Sequence, residues 1–120
     1  MYVGMDLVDS DEVCDSLQAH GDRYLERVFT ELEARQCGGD PRRLAGCFAG
    51  KEATMKLLAE ADRPLPWRSI GIHARPDGGL DVVLTEPAAG IARRLGFHEL
   101  SVSVTHWRTS TAAVVLADRR

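Results

Sequence analysis

The chain has 120 residues, 44% of them hydrophobic and 28% charged, which is typical of a folded globular protein and excludes an intrinsically disordered one. Its net charge of -3 argues against a nucleic-acid-binding protein, and apolar runs such as Ala112 to Ala117 are too short to span a membrane. The first residues contain no basic region, so we expect no signal peptide. The length predicts one domain over residues 1–120, and we expect it in the cytoplasm.

The first segment, from Tyr2 to Val8, predicts a β-strand. Apolar side chains stand at every second position there, at Val3, Met5 and Leu7. We therefore expect these three side chains to face the core of the protein. Asp6 would then project from the opposite side of the strand, near its end.

Two helical segments follow this strand. Residues 10–29 predict a helix in which Ser10 is the N-cap and Gly21 is a break or kink. A shorter helix begins at Thr30, because Glu33 stands three residues further on and the two residues form a capping-box pattern.

A longer helix occupies the middle of the chain. Asp40 and Pro41 are a favourable opening, an acidic N-cap followed by proline at the first helical position. We expect this helix to continue to about Ala61. Pro64 and Pro66 then prevent its extension.

The second half of the chain is richer in strands. The predicted elements are a strand over 68–75, a turn over 76–79, a strand over 80–85, a helix from Pro87 to about Gly96, and strands over 99–106 and 112–117. The whole order is β-α-α-α-β-β-α-β-β. It predicts an α+β fold with a mainly antiparallel sheet packed on helices.

The three cysteines, Cys14, Cys37 and Cys47, are odd in number and have no Cys-x-x-Cys spacing. A disulfide framework or a zinc site is therefore not expected. We expect small, reduced and partly buried side chains, as in a cytosolic protein.

The long middle helix carries charges within its apolar side. At about 100° per residue, an apolar stripe forms along it from Leu44, Phe48, Met55 and Leu58. Lys51 falls inside this stripe, and Glu52 and Lys56 lie at its margin. Two interpretations are open: Glu52 and Lys56 form an ordinary surface pair while Lys51 extends its ammonium to solvent, or these charges serve a reaction.

Asp6 and Glu52 are the candidate metal ligands. Mg²⁺ commonly takes one or two protein carboxylates together with water and substrate phosphates, and nearby lysines could neutralise phosphate oxygens. The alternative for Asp6 is a structural role, capping a loop or pairing with a lysine. The spacing of the two acids along the chain does not by itself bring them together.

Four segments in order carry a family resemblance. They read VGMDLVD over 3–9, FTELE over 29–33, FAGKEATMK over 48–56 and LSVSVTHWRTSTAAVVL over 100–116. Together they resemble the holo-acyl-carrier-protein synthase family of 4′-phosphopantetheinyl transferases, and the match covers nearly the whole chain. The resemblance implies that family's fold, a homotrimer with sites between subunits, and an Mg²⁺-dependent reaction. In that reaction the phosphopantetheine arm of coenzyme A moves to a serine of an apo acyl or polyketide carrier protein, releasing 3′,5′-ADP.

The same resemblance implies roles for individual residues. Asp6 and Glu52 match the family's Mg²⁺ ligands, and Glu52 also matches a group that helps to deprotonate the serine. Lys56 matches the lysine near the reacting phosphates. His106 matches a histidine that helps to hold the nucleotide's phosphate, although the residues alone would favour an ordinary turn histidine.

The chain also departs from the family pattern. Cys47 stands where the family usually has arginine, and residues 59–64 and 78–80 replace two glycine-containing loops. The first helix opens with acidic residues, where many members present basic ones to the carrier, while Arg23 and Arg27 remain as a basic pair. The alternative function is therefore a catalytically weakened paralogue that binds carrier proteins or acts as a scaffold.

Overall fold

The computed structural model describes residues 1–58 and 64–119. Its elements are β1 (Tyr2–Asp9), α1 (Ser10–His20), α2 (Asp22–Val28), α3 (Glu31–Cys37), α4 (Pro41–Leu58), a 3₁₀ turn (Trp67–Ser69), β2 (Ile70–Ala74), β3 (Leu80–Leu84), α5 (Ala88–Leu95), β4 (Phe97–Trp107) and β5 (Ser110–Arg119). The predicted α+β order is confirmed. The predicted end of the middle helix near Ala61 lies outside the described residues.

Helix ends follow the local sequence closely, with one exception. Gly21 has a φ of 55° and separates α1 from α2, which confirms the predicted break. Thr30 and Glu33 form the predicted capping box at the start of α3. The predicted N-cap at Ser10 is wrong, because Asp9 caps α1 by accepting a hydrogen bond from the backbone N–H of Asp11.

The strands form two antiparallel sheets rather than one. β5 lies between β1 and β4 in a three-stranded sheet, and β2 pairs with β3 in a separate hairpin. Helix α4 contacts strands of both sheets, and its alanines at 45, 49 and 53 are fully buried. Small side chains let the helix backbone approach the sheet closely, so α4 forms the centre of the core.

The prediction that Val3, Met5 and Leu7 of β1 face the core is wrong. Val3, Met5 and Leu7 are 52%, 59% and 70% exposed, whereas Gly4 and Val8 are buried. The cause is close contact at Gly4, where a Cβ atom would lie 2.0 Å from the carbonyl oxygen of Ala53 in α4. Only glycine permits this approach, and strand alternation then turns every even-numbered residue of β1 towards the helix.

The inverted face of β1 places Asp6 between the strand and α4, since Asp6 follows the same alternation as Gly4. The three-stranded sheet is left with apolar side chains on its outer surface. Within residues 1–58 and 64–119, no helix combines the length and the apolar character needed to cross a membrane.

Candidate active site

Asp6 of β1 and Lys56 of α4 form an ion pair. The ammonium of Lys56 donates to Asp6 Oδ1 over 2.7 Å and to the carbonyl oxygen of Met5 over 3.1 Å. The side chain of Asp6 is 9% exposed and that of Lys56 is 60% exposed. The surface pair between Glu52 and Lys56 is therefore replaced by a contact that joins the strand to the helix, and Lys56 keeps most of its surface in solvent.

Glu52 lies beside Asp6, and the two carboxyl groups alter each other's protonation. Burial, followed by hydrogen bonding with Asp6 and its charge, raises the pKa of Glu52 to about 7. Burial would also raise the pKa of Asp6, but hydrogen bonds from Glu52 and Lys56 outweigh it and lower that pKa. Asp6 is therefore the ionised member of the pair, and Glu52 exchanges its proton near neutral pH.

The two carboxyl groups are suited to holding a hard cation. Asp6 Oδ2 is buried, and no amine, amide or hydroxyl donor of the described residues bonds to it. A buried acceptor in this state is costly unless something else satisfies it. The described residues contain no group of three or more histidine, cysteine, aspartate or glutamate side chains that could hold a metal. A pair of carboxyl groups is a donor set that suits Mg²⁺, which commonly takes one or two protein carboxylates.

Lys51 directly precedes Glu52 and is fully buried, so the interpretation that its ammonium reaches solvent is wrong. Its ammonium pairs with Glu33 Oε1 over 2.6 Å and donates to the carbonyl oxygens of Trp67 and Ile70. Burial lowers the pKa of Lys51, and the Glu33 carboxylate opposes that effect. Three oxygen atoms therefore surround the ammonium of Lys51.

Glu33 is the centre of this buried network. Its two oxygens accept hydrogen bonds from the backbone N–H groups of Thr30 and Ile72, over 2.8 Å and 2.9 Å. The side chain thus connects the start of α3 and strand β2 to Lys51 in α4. The capping-box pattern in the sequence explained only the bond to Thr30, and no sequence signal paired Glu33 with Lys51.

His106 lies apart from the three charged residues. It occupies β4 near the strand's end, shares a 2.8 Å hydrogen bond with Thr111 Oγ1, and lies opposite Gly46 of α4. Burial and the charge of Arg42 lower the pKa of His106. Gly46 precedes Glu52 by six residues, which is about 9 Å along the helix axis. The structure therefore brings together Asp6, Glu52 and Lys56, and places His106 about two helical turns away.

His106 lines an open cavity of about 440 Å³ between α3, α4, β2 and β4. Arg43 contributes the second basic side chain, and the wall also includes Cys37, Cys47 and Gly78. The chain departs from the family pattern at Cys47 and in residues 78–80, and both of these positions contribute to the cavity wall. We name it the histidine cavity.

A second cavity, of about 400 Å³, lies beside α2. Its apolar lining is Tyr24, Val28, Phe48 and Trp67, and its basic lining is His20, Arg23 and Arg27. The rings of Phe48 and Trp67 are 5.0 Å apart. Burial and the Glu52 charge together raise the pKa of Tyr24 to about 12. We name this cavity the aromatic groove; the sequence pointed only to Arg23 and Arg27 in it.

Comparison with known proteins identifies the class. The sequence profile of the 4′-phosphopantetheinyl transferase superfamily matches residues 2–117, and the chain belongs to this family. It is 37% identical to a holo-[acyl-carrier-protein] synthase of Leptospira biflexa, over 97% of this chain and 94% of that protein. It is 33% identical to one of Koribacter versatilis, over 96% of each chain. The family resemblance and the enzyme class inferred from the sequence are confirmed.

Solved structures support the same fold. The acyl carrier protein synthase of Mycobacterium tuberculosis is 30% identical to this chain, with a TM-score of 0.77 and coverage of 99% of this chain and 97% of that chain. The holo-[acyl-carrier-protein] synthase of Helicobacter pylori, solved in complex with coenzyme A, is 25% identical, with a TM-score of 0.85 and coverage of 97% and 99%. The predicted fold class is confirmed.

The Glu33–Lys51 pair generates a stability prediction. We expect Lys51→Met to lower the free energy of unfolding by about 3–5 kcal/mol, because it leaves the Glu33 carboxylate buried without its cation. Adding Glu33→Gln removes the unpaired charge, so the double variant should lose less than the sum of the two single variants. Urea denaturation at pH 7 measures all three, and Arg93→Met, which removes the cation of an exposed pair with Glu86, is the matched control, with little change expected. Strictly additive losses would contradict the buried pair.

Proposed function

We propose that this protein transfers the 4′-phosphopantetheine arm of coenzyme A to a serine hydroxyl of an apo acyl or polyketide carrier protein. The serine oxygen forms a bond to the phosphorus that carries pantetheine, and the pyrophosphate bond to that phosphorus breaks, releasing 3′,5′-ADP. Membership of the transferase family supports this proposal. The observation that carries it is the meeting of Asp6, Glu52 and Lys56 at one end of α4.

We propose a distinct role for each member of this cluster. Asp6 and Glu52 would hold Mg²⁺, which supplies charge stabilisation for the pyrophosphate when bound. Lys56 keeps its ammonium exposed beside Asp6, so it can bind phosphate oxygens. Glu52 would also accept the serine proton as a general base, the second role that the family resemblance gives it. Phosphoryl-type transfer mainly requires such positioning and charge neutralisation.

The nucleotide end of coenzyme A would occupy the histidine cavity. His106 and Arg43 are the two basic side chains in its wall, and they suit a phosphate group. His106 lies opposite Gly46, and Gly46 is about 9 Å along α4 from Glu52. This separation suits an extended cofactor with one phosphate near His106 and another near Glu52. The structure of the H. pylori relative, solved in complex with coenzyme A, supports the choice of ligand.

Transfer is tested by incubating the protein with apo carrier, coenzyme A and Mg²⁺ and following the carrier's mass. We expect a gain of one phosphopantetheine group, and its loss when a chelator removes Mg²⁺. Asp6→Asn and Glu52→Gln should each lower the rate by at least about 100-fold, because each removes a proposed metal ligand. The control is Asp81→Asn, which disrupts an exposed pair with Arg75 in the β2–β3 hairpin and should leave transfer unchanged.

Full activity in both carboxylate variants would refute the metal assignment. No mass gain with several apo carriers, while a reference transferase modifies the same carriers, would sink the enzyme proposal. Retained binding of a carrier in that case would support the alternative of a scaffold module. Circular dichroism and sedimentation of the variants show whether folding and assembly are intact.

The aromatic groove is the surface on which we propose that the carrier docks. It lies beside Glu52, because Phe48 in its lining stands four residues before Glu52 on α4, so a partner seated there could deliver a serine to the reacting centre. Its rim has Arg23 and Arg27, and its floor is apolar, with the paired rings of Phe48 and Trp67. A basic rim around an apolar floor suits an acidic partner that buries a hydrophobic side chain.

Reversing charge on the rim tests this docking surface. We expect Arg27→Glu to raise KM for an acidic carrier by at least about tenfold and to leave kcat largely unchanged, because like charges oppose encounter. The effect should shrink at high salt, where charges are screened. Arg35→Glu, which makes the same charge change on the exposed side of α3, is the matched control. An equal rise in both variants would show that net charge, not the groove, is responsible.

The outer face of the three-stranded sheet is where we propose that subunits meet in a homotrimer. Val3, Met5 and Leu7 are exposed on it, and their register partners on β5 continue the apolar surface, namely Leu116, Val114 and Ala112. A contiguous apolar patch on a sheet face favours a covering partner. The trimer itself is implied by the family resemblance, and this surface is the one that supports it.

Assembly is tested by sedimentation equilibrium. We expect the unsubstituted chain to be a trimer and Met5→Glu to shift it towards monomers, because the substitution places an unpaired charge in an apolar interface. Val83→Glu puts the same charge on an exposed position of β3 and is the control. A monomeric parent chain, or a Met5→Glu trimer as stable as the parent, would overturn the assignment. Cytoplasmic location and a single domain over 1–120 stay predictions.

A further inference from the structure

Two cysteines from consecutive helices meet in the wall of the histidine cavity. Cys37 is the last residue of α3 and Cys47 lies in the second turn of α4, and their sulfur atoms are 3.6 Å apart. Cys47 Sγ also donates to the carbonyl oxygen of Ile72, over 3.6 Å. Both thiols are free, and the sequence spacing did not predict their contact.

The two thiols differ in acidity. The hydrogen bond with Cys47 lowers the pKa of Cys37, although burial opposes this effect. The same bond, together with burial, raises the pKa of Cys47. Cys37 is therefore the sulfur that ionises first, and a thiolate is the form of cysteine that attacks disulfides. This difference favours Cys37 as the attacking sulfur, and the 3.6 Å contact makes Cys47 the resolving sulfur.

The histidine cavity gives a small molecule access to this pair. Cys37 is only 5% exposed, but both sulfur-bearing residues line the cavity wall together with Arg43 and His106. At about 440 Å³, the cavity is large enough to admit a small-molecule disulfide. Gly38 and Gly39 follow Cys37 with φ values of 57° and 78°. Glycine gives this connection to α4 the conformational freedom to adjust.

We propose that Cys37 and Cys47 form a thiol–disulfide switch in the wall of the coenzyme A site. The oxidant is a low-molecular-weight disulfide. The Cys37 thiolate attacks it, forming a mixed disulfide and releasing one thiol. Cys47 then loses its proton and attacks the Cys37 sulfur, which releases the second thiol and leaves a Cys37–Cys47 disulfide. The protein dithiol loses two electrons and two protons, and the oxidant gains them as two thiols.

The disulfide would alter the cavity that holds the nucleotide. A disulfide holds its sulfur atoms about 2.05 Å apart. The two sulfurs, now 3.6 Å apart, must therefore approach, and Cys47 gives up its hydrogen bond to Ile72. Cys47 directly follows Gly46, which lies opposite His106, so this part of the wall changes with it. The link to coenzyme A rests on the proposed function, whereas disulfide formation does not.

Disulfide formation is tested on the full chain with glutathione disulfide as the oxidant. We expect the intact mass to fall by two hydrogen atoms and peptide mapping to link Cys37 to Cys47. Cys14→Ser should behave identically, because Cys14 lies in α1 and is not part of the pair. In Cys47→Ser, oxidation should stop at the mixed disulfide on Cys37. A link involving Cys14, or no link in the unsubstituted chain, would overturn the proposal.

The coupling is tested by calorimetric titration of coenzyme A into the reduced and oxidised protein. We expect Kd to rise by about tenfold on oxidation, the effect of losing roughly one charge-assisted hydrogen bond. Dithiothreitol should restore the original Kd. Equal affinities in both states would overturn the switch. A reduced protein that does not bind coenzyme A would sink the proposed function and the coupling with it, while the mass measurement still decides on the disulfide.

Discussion

Glu33 and Lys51 meet where solvent does not reach, and the position of the central helix depends on that contact. Two charges removed from water are stable only if oxygen and nitrogen partners surround both of them. Here the carboxylate holds the start of α3 and strand β2, while the ammonium holds the carbonyl oxygens of Trp67 and Ile70. A rotation or a shift of α4 would break several of these bonds together. The pair therefore restricts α4 to one orientation, and Glu52 is the next residue in the chain.

That orientation gives the two ends of α4 different surroundings. Towards its C-terminus, Glu52 and Lys56 meet Asp6, and the aromatic groove lies beside them. Towards its N-terminus, Gly46 and Cys47 form part of the histidine cavity. A cofactor extended along the helix could contact both ends while the carrier approaches from α2. The two cysteines proposed as a redox switch then lie at the proposed nucleotide end, away from the carboxyl groups that would perform the transfer.

Strand β1 shows how one backbone contact can outweigh a hydrophobic pattern. Its apolar residues alternate as if they faced the core, yet they form the outer surface of the sheet. The approach of Gly4 to the backbone of α4 decides the direction, and Asp6 is carried inward with it. The same inversion creates the apolar surface proposed for assembly. The position of the acid and the exposure of Val3, Met5 and Leu7 therefore have a single cause.

The sequence by itself determined the order of elements, the break at Gly21 and the capping box at Thr30, because these depend on residues a few positions apart. Motif resemblance also identified Asp6, Glu52, Lys56 and His106 as candidates. Only the tertiary structure decided which face of β1 is buried, which acid pairs with Lys51, and that Cys37 meets Cys47. Hydrophobic periodicity indicates that one face of a strand or helix is apolar, but it does not indicate which other part of the protein covers that face. Buried pairs join residues from separate elements, and their distances are set by packing rather than by spacing along the chain.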